Sequence, residues 1–175
     1  VIGWDERPNN LKLTAALTLG LRLVGCSVIH VGLCATPALH RALLHHNARL
    51  GCMITASHNP VSDSGLKVFD ARGFKSTPHF EDHVSAVADA LASEEREIDE
   101  IEAEELSQAS EPYIASMGAS ASHPLWLTER FGHFQTLVGA QGFDASHLAN
   151  PFVLDCSKGA AHTWLAAWLS ERGIH

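Results

Sequence analysis

The stretch Gly51-Cys52-Met53-Ile54-Thr55-Ala56-Ser57-His58-Asn59-Pro60 constrains the fold more than any other part of the chain. Cys52 to Ile54 is an apolar run too short for a helix and is expected to form a buried strand. The small and polar residues after it read as a turn, and Pro60 biases Asn59 toward extended backbone, so no helix begins there. Ser57 is therefore expected on an exposed loop at the carboxyl end of a strand, the place where open α/β sheets bind their ligands. On residue types alone, Ser-His-Asn-Pro reads equally well as a plain turn.

The segments around this stretch alternate strand and helix. Val1 to Gly3 reads as the end of a first strand. Asn9 or Asn10 can cap a helix whose apolar positions include Leu13, Leu17, Leu21 and Val24, with Gly25 as its stop. Cys26 to Val31 is expected as a second strand. Thr36 then caps a helix with Pro37 at its first position and Leu39, Leu43, Leu44 and Leu50 along its inner side. Gly65 to Asp70 reads as a fourth strand, followed by a turn at Ala71-Arg72-Gly73. Thr77-Pro78 opens a further helix, in which Phe80, Val84, Val87 and Leu91 recur at steps of three and four. Four strands separated mostly by helices predict a layered α/β/α domain.

Beyond Leu91 the pattern loosens. Glu94 to Glu105 is densely acidic, with Arg96 alone opposing it, and reads as a solvated face or linker. Glu102 to Met117 is expected to be helical as far as the break at Gly118. Ser120 to Pro124 reads as a flexible connection into a helix from Leu125 to Leu137. Phe152 to Asp155 is expected as a strand, and Trp164, Leu165, Trp168 and Leu169 as the apolar stripe of a helix ending at Gly173. The expected division is a first domain over 1–118, a connecting helical region over 119–150, and the beginning of a second domain over 151–175.

A chain of 175 residues can bury one good core and an appendage, and its 46% apolar and 18% charged content suits a globular protein. No apolar run approaches the roughly 20 residues that span a bilayer, and no signal peptide is recognisable. The four cysteines are scattered and read as small buried thiols in a reducing cytoplasm. A net charge of -8 argues against nucleic acid as a partner.

The motifs carry a resemblance that composition does not. Thr55-Ala56-Ser57-His58-Asn59-Pro60 resembles the phosphoserine loop of the α-D-phosphohexomutases. Gly3-Trp4-Asp5-Glu6-Arg7 resembles that family's Gly-Arg-Asp-x-Arg segment, with Trp4 in place of Arg. Ala35-Thr36-Pro37 resembles its Pro-Thr-Pro turn, and Gly65-Leu66-Lys67 its Asn-Gly-Ile-Lys, with Ser64 in place of Asn. Val153 to Ala160 resembles the strand and turn that open its second domain, with Lys158 where Asn is common.

The resemblance implies a three-layer α/β/α domain on a mixed four-stranded sheet, followed by the start of a second, similar domain. It also implies an intramolecular phosphotransferase. Ser57 would carry a phosphoryl group, pass it to a hexose phosphate to give a hexose 1,6-bisphosphate, and take back the other phosphate. Lys67 would move the proton and His58 would contact the phosphoryl group or hold the loop. Asn59 would shape the loop, while Asp5 and Arg7 would either support it or, for Arg7, face the phosphate. The implied cofactor is Mg²⁺, held by Ser57 through its phosphate and by an Asp-Gly-Asp-Gly-Asp loop that this sequence lacks. The remaining ligands, and the sugar-reading parts, would come from missing domains of the same polypeptide, leaving the 175 residues alone inactive. Gly65 to Phe69 followed by Gly73-Phe74-Lys75 is most similar to the branch acting on glucosamine phosphates, with mannose and glucose phosphates as alternatives.

Other chemistries need weighing because the chain holds 12 histidines. His79 and His83 stand four apart on an expected helix and could share a face toward zinc, and His40, His45 and His46 form a second cluster. Neither has the His-Glu-x-x-His order. Ser57-His58 lacks the Gly-x-Ser-x-Gly elbow of a hydrolase. A reading from another class is a non-catalytic module that binds phosphosugars.

Overall fold

The computed structural model describes residues 1–93, 119–139, 153–156 and 159–174. Their elements are β1 (Ile2–Trp4), α1 (Asn10–Leu23), β2 (His30–Leu33), α2 (Thr36–His45), β3 (Leu50–Ile54), β4 (Leu66–Asp70), α3 (Pro78–Ser93), α4 (Ala119–Leu137) and α5 (Leu165–Ser170). The strands form one sheet in the order β2-β1-β3-β4. Strand β1 runs parallel to both β2 and β3, whereas β4 is antiparallel to β3, so the sheet is mixed.

Side chains alternate across the pleat and build two cores. On one face Ile2, Cys52 and Ile54 pack against Leu17 and Leu21 of α1. On the other, Val31, Met53 and Phe69 pack against Leu39 and Leu43 of α2. This is the expected three-layer α/β/α arrangement on a mixed four-stranded sheet. Gly3 lets the second face close. A Cβ there would lie 2.8 Å from the Cys34 sulfur and 3.1 Å from a Leu39 methyl.

Several expectations need correction. Strand β2 begins at His30 rather than Cys26 because the cap of α1 takes up the intervening chain. Gly25 adopts φ +82°, its N–H donates to the Arg22 carbonyl, and the Cys26 N–H reaches back to Leu21. These paired bonds close the helix, and they leave Cys26 exposed. Strand β1 is Ile2–Trp4, one residue later than expected, and β3 already begins at Leu50.

Of the four apolar positions expected on the inner side of α1, Leu17 and Leu21 pack inward and the other two do not. Leu13 and Val24 are exposed, while Asn10, Thr14 and Thr18 are buried. Thr14 and Thr18 each donate to the carbonyl four residues back, at 2.8 and 2.6 Å, which satisfies the hydroxyls and admits them to the interior. In α2 the residue at the cap is Ala35, in extended backbone, and Thr36 is already helical. Leu44 is exposed, and Leu50 belongs to β3.

Helix α3 forms where expected but buries none of its residues, and Phe80, Val84, Val87 and Leu91 are all exposed. Ser120 to Pro124 is not a flexible connection but part of α4, with Pro124 inside the helix. Packing overrides the helix-breaking tendency of proline here. His123 is buried between the rings of Trp126 and Trp164, and Arg41 of α2 donates to both the carbonyl and hydroxyl of Ser122. Residues 153–156 form no strand, because no described segment pairs with them, and Val153 is fully open to solvent. The expected stripe of Trp164, Leu165, Trp168 and Leu169 is only half-buried along the short α5. The acidic run, the expected helix over 102–117, and Phe152 lie outside the described residues. Cys34 and Cys52 are buried thiols, and burial pushes the Cys34 thiol up to about 12.

Candidate functional site

The parallel pair β1 and β3 delivers Asp5 and Thr55 to the same edge of the sheet, where the Asp5 N–H donates to the Ile54 carbonyl at 3.1 Å. From this edge the loop between β3 and β4 projects. Thr55 Oγ1 donates to Asp5 Oδ2 at 2.6 Å and accepts the Ser57 N–H at 3.2 Å. Asp5 is thereby tied to the first turn of the loop.

Arg7 organises the remainder. Its Nη1 donates to the carbonyls of Pro60 and Asp63 at 2.6 and 3.0 Å, and Nη2 donates to the carbonyl of Ser57 at 2.7 Å. Longer bonds from both nitrogens reach the Asn59 carbonyl, and Nε pairs with Asp5 Oδ2 at 3.3 Å. The Arg7 side chain is only 9% exposed. Its charge is thus directed at loop carbonyls. Asn59 gives its N–H to Ala56 and its amide to Asp63, so it too shapes the loop.

Ser57 has φ +50°, the left-handed region that side chains with a Cβ avoid. Its Oγ lies 2.8 Å from Lys67 Nζ. Lys67 reaches it because β4 is antiparallel to β3 and sets Lys67 opposite Met53, four residues before Ser57. His58 is exposed and makes no hydrogen bond among the described residues.

Two contributors are not visible as site residues in the sequence. Asn10 is fully buried under the loop. Its Nδ2 donates to Asp5 Oδ1 at 2.6 Å and to the Ile54 carbonyl at 3.1 Å, and its Oδ1 accepts from Ser64 Oγ at 2.8 Å. The other is Glu6, which with Asp5, Arg7, Ser57, Asn59, Gly159 and Ala160 lines a cavity of about 710 Å³. His162 stands 3.9 Å from the Glu6 carboxylate. The Gly3-to-Arg7 motif marked Glu6 only as a variable position, and Asn10 reads as a helix cap.

A hydroxyl held beside an ammonium group in an open cavity suits a phosphoryl group, which a lysine recognises as a point charge. A Mg²⁺ ion takes near-octahedral oxygen ligands. Among the described residues no three His, Cys, Asp or Glu side chains are grouped to hold a metal, which also leaves the two histidine clusters without a zinc site. Asp5 is already engaged by Thr55, Arg7 and Asn10, so the described residues alone do not fit Mg²⁺.

Comparison with known proteins shows the family. The family model described as phosphoglucomutase/phosphomannomutase, alpha/beta/alpha domain I, matches residues 1–95. A phosphoglucosamine mutase of Synechococcus sp. (strain CC9311) is 43% identical over 161 residues, which cover 92% of this chain and 31% of the relative. One from Nocardia farcinica is 32% identical over 168 residues, covering 92% of this chain and 34% of the relative. One from Corynebacterium glutamicum (strain R) is 42% identical over 94 residues, 54% of this chain and 21% of the relative. The chain therefore spans about a third or less of the length of the curated relatives it matches. It belongs to the phosphohexomutase family, and its amino-terminal half is the family's α/β/α domain I.

Proposed function

We propose that this chain is the phosphoryl-carrying part of a hexose-phosphate mutase, with Ser57 as the residue that holds the phosphoryl group. The observation that carries the reading is the 2.8 Å separation of Lys67 Nζ from Ser57 Oγ, on a loop pinned by Arg7. In the transfer from the loaded enzyme, the bond from phosphorus to Ser57 Oγ breaks and a bond to a sugar hydroxyl oxygen forms. Lys67 gives a proton to the departing Oγ and regains one from the sugar hydroxyl, so charge and protons balance. The bisphosphate then turns over, and the same steps run in reverse with its other phosphate.

The names of the relatives favour glucosamine phosphate as substrate, moved between the 6- and 1-positions, over mannose or glucose phosphate. A Mg²⁺ ion assisting this chemistry would need carboxylates beyond the residues described. No helix among the described residues is long and apolar enough to cross a membrane, and sugar-phosphate substrates fit a cytoplasmic enzyme. We expect negligible turnover from the 175 residues alone.

The test is to incubate the full-length protein with a hexose 1,6-bisphosphate and to map the product by intact mass and peptide sequencing. The expected result is one phosphoryl group on Ser57, none in Ser57→Ala, and slower loading in Lys67→Ala. A phosphoryl group that maps elsewhere, or none at all, overturns the proposal.

A further inference from the structure

A second cavity lies away from Ser57, between α2 and α4, with a volume of about 760 Å³. Its chemistry is opposite in sign to that of the molecule. The chain carries a net charge of -8, yet none of the described residues lining this cavity is acidic. Arg41 and Arg130 supply two guanidinium groups, and His40 and His45 two imidazoles.

Neither guanidinium group forms an ion pair among the described residues. Arg41 donates through Nη1 to Ser122, which leaves its Nε and Nη2 without a partner among the described residues. Arg130 makes no hydrogen bond or ion pair among the described residues. Its carbon and that of Arg41 each lie 5.7 Å from the centre of the Trp126 ring. Trp126 is itself fixed by stacking on the buried His123 at 5.6 Å and 23°. His40 stands edge-on to the buried Phe69 at 6.1 Å, and the half-buried Trp126 supplies an aromatic wall beside the cationic one.

Unpaired guanidinium donors bind phosphate oxygens in a fork geometry. An aromatic wall beside them accepts a flat ring, and the volume lies within the range of small-molecule sites. We propose that this cavity binds a nucleoside diphosphate, with its phosphates on Arg41 and Arg130 and its base packed against Trp126. The site is separate from the Ser57 loop and does not rest on the proposed mutase chemistry.

Calorimetric titration of the full chain with adenosine diphosphate tests it, with adenosine and inorganic pyrophosphate as separate probes. The expected result is one diphosphate bound per chain, more tightly than either probe. Arg130→Gln and Arg41→Gln should each weaken binding by about tenfold, the loss of one charge-assisted contact. Arg130 is exposed and forms no hydrogen bond among the described residues, so Arg130→Gln retains the fold, which a thermal melt checks. The double variant Ser57→Ala, Lys67→Ala should bind as the unaltered chain does. The proposal is overturned if no binding is seen, if pyrophosphate or adenosine binds as tightly as the diphosphate, if Arg130→Gln leaves the affinity unchanged, or if the Ser57, Lys67 double variant loses it.

Discussion

Ser57 holds a backbone conformation that its own side chain opposes, and replacing it measures that opposition. At φ +50° a residue with a Cβ is disfavoured by roughly 1–2 kcal/mol relative to glycine. Glycine gives back about 0.4–1 kcal/mol because it frees the unfolded chain. Ser57→Gly should therefore be more stable than Ser57→Ala by about 0.5–1 kcal/mol. The comparison is clean because both variants lose the hydroxyl, and with it the bond to Lys67. For a domain of this size that difference raises the melting temperature by roughly 2–6 °C. Thermal unfolding followed by circular dichroism reads it directly. If Ser57→Ala melts at or above Ser57→Gly, the loop is not strained, and the idea that the fold gives up stability to present this hydroxyl is wrong.

Arg7→Ala should release the loop at a local cost of about 2–3 kcal/mol, seen as a roughly 30- to 150-fold loss of hydrogen-exchange protection at the Asn59 and Asp63 amides. The Met53 amide in β3 should change far less, and equal losses at both places would refute a local role. Asn10→Ala should cost about 2–4 kcal/mol by urea unfolding, because it strips partners from Asp5, the Ile54 carbonyl and Ser64. Gly3→Ala should cost about 1–3 kcal/mol in the same assay through its approach to Cys34 and Leu39, and no loss would show that this face is loosely packed. Burial holds His30 below its ordinary value of 6.5, with the nearby amino terminus adding to the effect. His123 is lowered in the same way by burial and then by Arg41. Since the unfolded chain takes up these protons first, the contribution of the two histidines should be full above about pH 6.5 and be lost as the pH drops from there through the lower folded values. Urea midpoints at pH 7.5 and 5.5 check this, and His30→Gln should flatten the difference.

The legible parts of the fold were those written in apolar residues. Met53 and Ile54 mark β3 as a buried strand, and Leu39 and Leu43 mark the face of α2 that meets it. Polar burial is not legible in this way. Thr14 and Thr18 line the inside of α1 because each finds its own carbonyl, and no hydrophobic period reports such a bond. Element edges escaped for a similar reason, since the cap at Gly25 and Cys26 delays β2 through backbone bonds alone.

The Ser57 loop announces itself by its motif and by Pro60. Its geometry depends on long-range partners. Neither the five loop-directed bonds of Arg7 nor the contact between Lys67 and Ser57, ten positions apart, follows from sequence spacing. Pro124 shows the reverse case, in which a local breaker is outweighed by His123 and Arg41 holding the turn around it.

Strand β4 sits at the rim of the sheet, where among the described residues one of its sides has no full neighbouring strand and is covered by the bridge between Phe69 and Lys75. Rim strands unzip before central ones. Because Lys67 rides on β4 while Ser57 hangs from the interior strand β3, mild heating or low denaturant should part the amine from the hydroxyl, loosening the core around Phe69 while that of Ile2, Cys52 and Ile54 stays intact. Chemistry that needs both groups is switched off by fraying at one margin, well before the molecule as a whole comes undone.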